Sequence, residues 1–259
     1  MITIIASVFN AEIYLINFLN YINSQLLQEF EVIFIDANSE DNSLEIIRNF
    51  NFRNGIGIKI IEQHRRINIY EAWNIGVLNS SNPWVMNFNT DDKLFPSALS
   101  IYAEYILKDE DFDIIYSNCF ISSDESHKSL VDIRIWEDAN LIDNLMTSSC
   151  VGPFPIMKKS SVIEAGLFNK EFSIAGDYEM WSRMQMLGFK FLKIQEFIGV
   201  YFLNPSGVST DQTRENLKEI FRQNKLIKDA LQDKRNFIKR FFKAIVRIIR
   251  FASNEFKFL

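Results

Sequence analysis

Three groups of acidic and amide side chains stand where an α/β protein would place a ligand. Asp36–Ser43 (DANSEDNS) follows the apolar segment EVIFI, Asn89–Asp92 (NTDD) follows WVMNF, and Asp177 opens a segment with helical spacing. In an open α/β sheet, ligands bind at the carboxyl ends of the strands. Carboxylate and amide oxygens at that edge can accept hydrogen bonds from a nucleoside or bind a hard divalent cation.

Each group also has an ordinary structural interpretation. The first could be a turn and a helix cap, with Ser39 or Asp41 as the capping residue. Asn89–Asp92 could be an acidic turn before a helix that begins near Pro96, although adjacent carboxylates repel each other without a cation or donor nearby. An acid such as Asp177 at a helix N-terminus is favoured by about 0.3–1 kcal/mol, and a carboxylate kept ionised there also suits a metal site or a general base.

Alternating strand and helix patterns would position these groups. In the first third of the chain we predict strands at Ile2–Val8, Glu31–Ile35, Gly57–Ile61 and Trp84–Phe88, and helices at Ala11–Gln25, Asp41–Asn49 and Tyr70–Leu78. Strands joined by helices of this length need crossover connections, which are right-handed in nearly all proteins. The pattern predicts an α/β fold on a doubly wound, mostly parallel, Rossmann-like sheet.

Beyond Asp92 the pattern is less regular. We predict helices at Pro96–Leu107, Lys158–Ala165, Asp177–Leu187 and Asp211–Asp233, strands at Asp113–Phe120 and Phe189–Phe202, and a short amphipathic piece at Leu141–Met146. The remainder of the segment up to residue 150 is predicted to be irregular. No repeat or linker is evident, so we expect one domain with a C-terminal helical extension.

Composition excludes several classes of protein. The chain has 259 residues, 47% of them apolar, with nine Gly and five Pro, so it is neither disordered nor of low complexity. Cys119 and Cys150 lack the C-x-x-C spacing of a zinc or redox site, and we expect them to be buried thiols in a reducing compartment. We expect neither a secretory leader nor a membrane-spanning helix, and a cytoplasmic location.

In chain order, these segments resemble the family 2 inverting glycosyltransferases, which have the GT-A nucleotide-diphospho-sugar transferase fold. The resemblance rests on the segments ITIIASVFNAEIYL (2–15), FEVIFIDANSEDNSLEII (30–47), NIYEAWNIGVLNSSNPWVMNFNTDD (68–92), FSIAGDYEMWSRMQMLGFKF (172–191) and SGVS (206–209). The combination is specific, whereas no single segment is. It implies a glycosyltransferase domain over residues 1–210, with a nucleotide-sugar half over 1–95 and an acceptor half over 96–210, followed by the extension over 211–259.

The resemblance also implies roles for individual residues. Asp36 would hydrogen-bond the nucleoside base, and Asp177 would be the general base that deprotonates the acceptor hydroxyl. Asp91, with Asn89 and Asp92, would bind Mg²⁺ or Mn²⁺, which neutralises charge on the leaving diphosphate. Asn89 stands where many relatives have the first acid of a D-x-D motif. The expected contacts to the nucleotide sugar are Phe9, Asn10, Glu12, Asp36, Tyr70, Asn74, Asn89 and Thr90.

Some residues depart from the family pattern or have two interpretations. Ile75 stands where the family commonly has Lys, and Arg66 where it often has an acid. The basic run His64–Arg66 either supplies positive charge near the nucleotide or is a solvated loop. Arg183 is expected to pair with Glu179, four residues earlier on the same helix face.

The C-terminal tail differs in charge from the rest of the chain. Residues 234–259 carry eight Lys and Arg against one acid, a charge of +7 in a chain of net charge −5, so residues 1–233 carry −12. Apolar residues recur every three or four positions from Phe237 to Ala252, with the basic residues mostly on the other side. This pattern suits a helix lying on an anionic membrane, at about 1 kcal/mol per basic residue. The alternative is packing on its own domain or on a second subunit; no nucleic-acid-binding motif accompanies the charge.

We therefore expect a metal-dependent inverting glycosyltransferase that moves a sugar from a nucleotide diphosphate, with UDP the leading candidate, to an acceptor hydroxyl. The tail favours a saccharide or lipid-linked acceptor at the cytoplasmic face of the membrane, as in surface polysaccharide synthesis. A sugar nucleotidyltransferase is disfavoured because no Gly-rich, basic phosphate loop follows the first strand. A non-catalytic protein that binds sugar nucleotides is a further alternative, and the oligomeric state is left open.

Overall fold

The structure is a computed structural model that describes residues 1–108, 111–207, 210 and 213–255, with the side chains at 214, 215 and 238–255 left undescribed. Within these ranges, nine strands form one sheet in the order β3-β2-β1-β4-β8-β6-β9-β5, and β7 pairs with β6. The elements of the first part are β1 (Ile2–Val8), α1 (Glu12–Asn23), β2 (Phe30–Asp36), α2 (Ser43–Asn49), β3 (Ile56–Glu62), α3 (Ile69–Asn79) and β4 (Trp84–Asn87).

The second part completes the sheet with strands of both directions. Its elements are β5 (Lys93–Leu94), α4 (Ala98–Lys108), β6 (Ile114–Ser122), β7 (Leu130–Arg134), α5 (Ile142–Thr147), β8 (Ile156–Lys158), α6 (Lys159–Glu164), α7 (Gly176–Leu187), β9 (Phe191–Phe202) and α8 (Arg214–Glu255). Strands β1 to β4 pair in parallel, as do β6 and β9, whereas β8, β5 and β7 run antiparallel to their neighbours. The predicted α/β fold with a mostly parallel sheet and a C-terminal helix is confirmed.

The sheet is covered on both faces, which explains the continuous apolar runs in its central strands. In β1, Ile4 packs into the core on one face and Ile5 into the core on the other; Phe34 and Ile35 of β2 do the same. Successive side chains of a strand point to opposite faces, so a strand buried on both sides shows no polar alternation. Cys119 and Cys150 are free and buried as expected, and burial raises the pKa of each thiol to about 12.

Three strands were not predicted from the sequence. β5 has two residues and β8 has three, which is too short for a periodic signal, and β8 directly precedes the helix α6. β7 is exposed along its whole length and pairs with β6 in a segment that we predicted to be irregular. These strands form because neighbouring strands offer unpaired backbone N–H and C=O groups. They therefore depend on tertiary structure and not on local sequence pattern.

Helix α8 is one continuous helix where the sequence predicted a polar helix followed by a basic one. Its first half packs against α5 and α7, and Ile227 and Leu231 are buried in the core. The side chains of the apolar and basic stripes beyond Phe237 lie outside the described residues. In the part of the chain that the structure describes, no helix is both long and apolar enough to cross a membrane.

Candidate active site

The first two polar groups lie at the same edge of the sheet because the strands before them are neighbours. Val8, the last residue of β1, is in register with Asp36 at the end of β2. On the other side of β1, the Phe88 N–H at the end of β4 donates to the Ile5 carbonyl at 3.0 Å. The segments that follow β1, β2 and β4 therefore emerge side by side.

Asp36 is buried, and its carboxylate closes the turn that follows β2. The carboxylate accepts hydrogen bonds from the backbone N–H groups of Asn38 at 3.1 Å and Ser39 at 3.2 Å. Asn38 has a φ of +68°, which a non-glycine residue adopts when a tight turn requires it. The turn interpretation of this segment is thus correct in its geometry, and it leaves lone pairs of the carboxylate for a further donor.

Phe9 and Arg66 stand beside Asp36. The guanidinium carbon of Arg66 lies 3.1 Å from the centre of the Phe9 ring, and Phe9 is 38% exposed. Burial lowers the pKa of Arg66, while the negative charge of Asp36 acts in the opposite direction. The sequence left open whether the basic run His64–Arg66 places positive charge near the nucleotide or is a solvated loop. In the structure Arg66 lies near Phe9 and Asp36, whereas Arg65 forms an ion pair with Glu71.

The starts of α1 and α2 hold each other in place through Asn10, Glu12 and Asp41. The Asn10 side-chain oxygen accepts from the Glu40 N–H at 2.8 Å, and the Glu12 carboxylate accepts from the Asn42 N–H at 3.0 Å. In return the Asp41 carboxylate accepts from the Glu12 N–H at 3.0 Å. Asp41 therefore acts as a cap for both helices, because its Oδ1 also accepts from the Ser43 N–H at the start of α2 at 3.0 Å. Asn10 and Glu12 fix the loops on either side of Phe9 and Asp36.

The segment after β4 separates its two adjacent carboxylates. Asp92 is buried, and its Oδ1 accepts from the Phe202 N–H at 2.9 Å, while its Oδ2 has no hydrogen-bond partner in the described parts of the chain. Burial, reinforced by the charge of Asp91, raises the pKa of Asp92 well above its usual range despite hydrogen bonds from Phe202 and Asn89. Asp91 is partly exposed and accepts from the Asn204 amide at 2.8 Å. The raised pKa favours the protonated form of Asp92, which lessens the repulsion between the two carboxylates.

His127 supports the same segment and was not singled out in the sequence, where a single His in a polar loop gives no signal. It is buried, and its Nε2–H donates to the Asp91 carbonyl at 2.9 Å. Burial lowers its pKa, so the ring is neutral at neutral pH, and Nδ1 can accept from the Tyr21 hydroxyl at 3.3 Å. Thr90, Asp91 and His127 line one small cavity, together with Tyr14, Tyr21 and other residues.

The predicted metal ligands can be tested against this arrangement. The ranges that the structure describes contain no cluster of three or more His, Cys, Asp or Glu side chains arranged to hold a metal. Asp91 is partly exposed, whereas Asp92 is buried and Asn89 is a neutral ligand that bonds to Asp92. Mg²⁺ is commonly held by one or two protein carboxylates together with substrate phosphates and water. The residues therefore fit a cation that binds together with a diphosphate, with Asp91 as the carboxylate ligand.

Asp177 lies in the first turn of α7, whose N-terminus is held by Tyr70 of α3. The Gly176 N–H donates to the Tyr70 hydroxyl at 2.9 Å, and that hydroxyl donates to the Ile174 carbonyl. The Asp177 Oδ1 accepts from the Tyr178 N–H at 2.8 Å. The helix dipole alone favours an ionised acid here, but burial outweighs the hydrogen bonds and raises the pKa of Asp177.

Helix α3 brings Asp177 to the same edge as the other groups. α3 follows β3, and the Gln63 N–H just after β3 donates to the Asp36 carbonyl at 2.9 Å. The Asn74 amide both donates to and accepts from the backbone of Phe168 at 2.8 Å. Tyr70 and Asn74, expected at the nucleotide sugar, are thus engaged with the segment that leads to Asp177. The expected pair of Arg183 and Glu179 is present at 2.7 Å.

Comparison with known proteins identifies the family. The sequence model described as "Glycosyl transferase family 2" matches residues 3–166. The chain belongs to glycosyl transferase family 2. Among its relatives, a protein of Haemophilus influenzae named "Uncharacterized glycosyltransferase" is 24% identical over 245 residues, covering 86% of this chain and 73% of the relative. The amylovoran biosynthesis glycosyltransferase AmsB of Erwinia amylovora is 24% identical over 213 residues, covering 78% and 69%.

Solved structures support the GT-A fold predicted for this family 2 member. S. aureus TarS 1–349 in complex with UDP superimposes with a TM-score of 0.68 at 16% identity, covering 87% of this chain and 64% of that one. The chain thus spans just under two thirds of the TarS structure. The mannosyltransferase PcManGT from Pyrobaculum calidifontis, in complex with GDP-Man and Mn²⁺, gives 0.62 at 13% identity, covering 90% and 73%. At these identities the similarity concerns the fold.

We predict that Asp177→Asn raises the free energy of unfolding at neutral pH. Burial raises the pKa of Asp177 above 3.8 in the folded protein, so the folded state keeps a proton that the unfolded state releases. Wild-type stability then falls as the pH rises from about 4 towards the folded pKa, because the folded state binds more protons. Asn keeps the hydrogen bond from the Tyr178 N–H but does not titrate. Urea unfolding of both proteins at about pH 4 and pH 7 should show a difference that grows with pH, and a constant difference would contradict this account.

Proposed function

We propose that this protein transfers a sugar from a nucleoside-diphosphate donor to an acceptor hydroxyl, with inversion at the anomeric carbon. The observation that carries the proposal is the convergence of Asp36, Asp91 and Asp177 on one edge of a family 2 fold. Two of the similar TarS structures contain UDP and UDP-GlcNAc, and that of PcManGT contains GDP-Man. A UDP-sugar is the donor that we propose first.

The nucleoside would bind between Phe9 and Asp36. The Asp36 carboxylate is held by two backbone N–H groups and retains lone pairs for an N–H of the base. Phe9 is partly exposed and the Arg66 guanidinium stacks on its ring, so a base could pack against this pair of planar groups. Asn10 and Glu12 would contribute by holding the surrounding loops, and Thr90 would face the sugar or diphosphate.

The diphosphate would lie at the segment Asn89–Asp92. Asp91 would hold Mg²⁺ or Mn²⁺, with Asn89 as a neutral oxygen ligand and the buried Asp92 behind them. When bound, the cation would neutralise the charge that develops on the leaving diphosphate. Asn204 and His127 would orient Asp91, since one donates to its carboxylate and the other to its backbone carbonyl.

Asp177 would act as the general base. The oxygen of the acceptor hydroxyl would form the new bond to the anomeric carbon, while the bond from that carbon to the diphosphate oxygen breaks on the opposite face. The hydroxyl proton would pass to the Asp177 carboxylate, whose raised pKa makes it a stronger base. Tyr70 and Asn74 would act on this step by holding the segment before α7.

The acceptor would be a saccharide or a lipid-linked saccharide used in surface polysaccharide or lipid-linked glycan synthesis. AmsB, by its name, serves amylovoran biosynthesis, and the basic tail suits contact with the anionic cytoplasmic face of a membrane. Membership of family 2 favours glycosyl transfer over nucleotidyl transfer. A non-catalytic protein that only binds sugar nucleotides would show binding without turnover in the experiment below.

We predict that the full chain with Mn²⁺ releases nucleoside diphosphate from at least one donor in a panel of UDP-GlcNAc, UDP-glucose and GDP-mannose. Asp177→Asn should lower kcat by about 10²–10⁴-fold, because a well-placed base contributes that much. Its Kd for the nucleotide, measured by calorimetry, should stay close to wild type.

The matched control is Asp229→Asn, an exposed acid on α8 that pairs with Lys225. Full turnover by the Asp177 variant would refute its role as base. Failure of every donor in the panel to bind would refute the proposed function itself.

We predict that Asp91→Asn weakens Mn²⁺ binding in the presence of UDP by about tenfold or more, since even indirect changes at metal sites have effects of that size. Electron paramagnetic resonance of free Mn²⁺ measures this directly, without turnover. Asp132→Asn, on the exposed strand β7, is the control. Unchanged Mn²⁺ affinity in the Asp91 variant would show that the cation is held elsewhere or is not used.

We predict that replacing Lys239, Arg240, Lys243 and Arg247 by Gln reduces sedimentation with anionic phospholipid vesicles. The structure guides this choice, because Lys234 donates to the Gln185 carbonyl and Arg235 pairs with Asp143, so both hold α8 on the body. Wild-type binding should weaken in high salt and be small on neutral vesicles. Equal sedimentation of variant and wild type would remove the membrane proposal.

A further inference from the structure

Helix α7, which carries the proposed base Asp177, has no capping side chain at its N-cap position. The residue at its N-cap is Ala175, whose methyl group cannot accept a hydrogen bond. The backbone N–H groups of Ile174 and Ala175 donate instead to the side-chain Oε1 of Gln223, at 3.2 and 3.1 Å. Gln223 belongs to α8, about fifty residues later in the chain, and is only 1% exposed.

The rest of the Gln223 amide is engaged as well. Its Nε2 donates to the Ser173 hydroxyl at 3.0 Å and to the Glu219 carboxylate one turn earlier on α8. Ile227 of the same helix is buried in the core, which prevents α8 from shifting along its axis without losing packing. The buried Gln223 side chain therefore contacts three successive residues: its Nε2 donates to Ser173, and its Oε1 accepts from Ile174 and Ala175.

Gly176, the residue after Ala175, is held by α3 and not by α8. The Gly176 N–H donates to the Tyr70 hydroxyl, and a methyl group on Gly176 would lie 2.7 Å from the Tyr70 ring. Asp177 follows directly. The two residues before the acid are thus fixed by α8 and by α3, and in neither contact does the acceptor belong to α7.

We infer that Gln223 is a positioning residue for glycosyl transfer: by holding the backbone of Ile174 and Ala175 it sets the place of the Asp177 carboxylate relative to the acceptor hydroxyl. The inference rests on the proposed function, because it takes Asp177 as the base. A base must lie within hydrogen-bond reach of the proton it removes, and a displacement of about 1 Å can cost about 10²-fold in rate.

This inference gives the C-terminal extension a part in the reaction. Gln223 lies outside residues 3–166, which match the family model, and outside the region 1–210 that the sequence assigned to the catalytic domain. The residues that would bind the nucleotide are not in contact with Gln223 in any described hydrogen bond. Its effect should therefore fall on the chemical step and leave nucleotide binding unchanged.

The test compares Gln223→Leu with Gln232→Leu in the full chain. Gln232 is on the same helix and bonds to Asn236 of that helix. Turnover is measured as diphosphate release with Mn²⁺ and whichever of UDP-GlcNAc and GDP-mannose the wild type uses, and is divided by the number of nucleotide sites that calorimetry counts. This division removes any effect of misfolded protein. We expect kcat per site to fall on the order of 10–100-fold in Gln223→Leu, with an unchanged nucleotide Kd, and Gln232→Leu to match wild type.

A rescue variant separates positioning from stability. In the double variant Gln223→Glu with Glu219→Gln, the new carboxylate at position 223 can still accept from the N–H groups of Ile174 and Ala175. The hydrogen bond between positions 223 and 219 is kept with its direction reversed, since the amide is now at 219. It should recover most of kcat, and the negative charge that it moves from position 219 to position 223, nearer the segment before Asp177, should move the acidic limb of the pH profile of kcat to higher pH. Wild-type kcat per site in Gln223→Leu, or no recovery in the double variant, would overturn the inference. If Asp177→Asn itself remains active, the role of Asp177 as base fails, and if no donor in the panel binds, the proposed function fails, so these failures are distinguishable from that of the inference.

Discussion

At the carboxyl edge of the sheet, buried side-chain oxygen atoms accept hydrogen bonds from the backbone N–H groups of the loops. The rest of the site depends on these hydrogen bonds. Asp36 takes the N–H groups of its own turn, Asp92 takes that of Phe202, and Gln223 takes those of Ile174 and Ala175. A buried N–H without a partner is costly, so each of these oxygens determines the path of a loop. The groups proposed for chemistry are attached to loops that are rigid for this reason.

The same constraint explains how two neighbouring acids can differ in environment. Asp92 is buried against Phe202 and its pKa is raised, whereas Asp91 is partly exposed and has an amide donor from Asn204. One accessible carboxylate suits a cation whose coordination is completed by substrate phosphates.

Helix α8 connects the two parts of the molecule that differ most in charge. Its first half packs on α5 and α7 and holds the start of α7 through Gln223, and it continues as the same helix into the basic segment. A force on the distal half, such as adsorption to an anionic surface, would therefore act on a helix that also contacts the segment before Asp177. The first half of the C-terminal extension is thus packed on the body of the protein.

The sequence by itself determined the class of fold, the order of the first seven elements and the three polar groups at strand and helix ends, because apolar periodicity and turn residues are local properties. It left open whether Arg66 faces solvent, and it gave no signal for β5, β7, His127 or Gln223. Those depend on which backbone groups remain unpaired once the segments meet. The partners of β5, His127 and Gln223 lie about thirty to more than one hundred residues away, whereas β7 pairs with the preceding strand β6. The tertiary structure alone also decided that the pKa values of Asp92 and Asp177 are raised, because burial depends on how distant segments pack and not on a residue's neighbours in the chain.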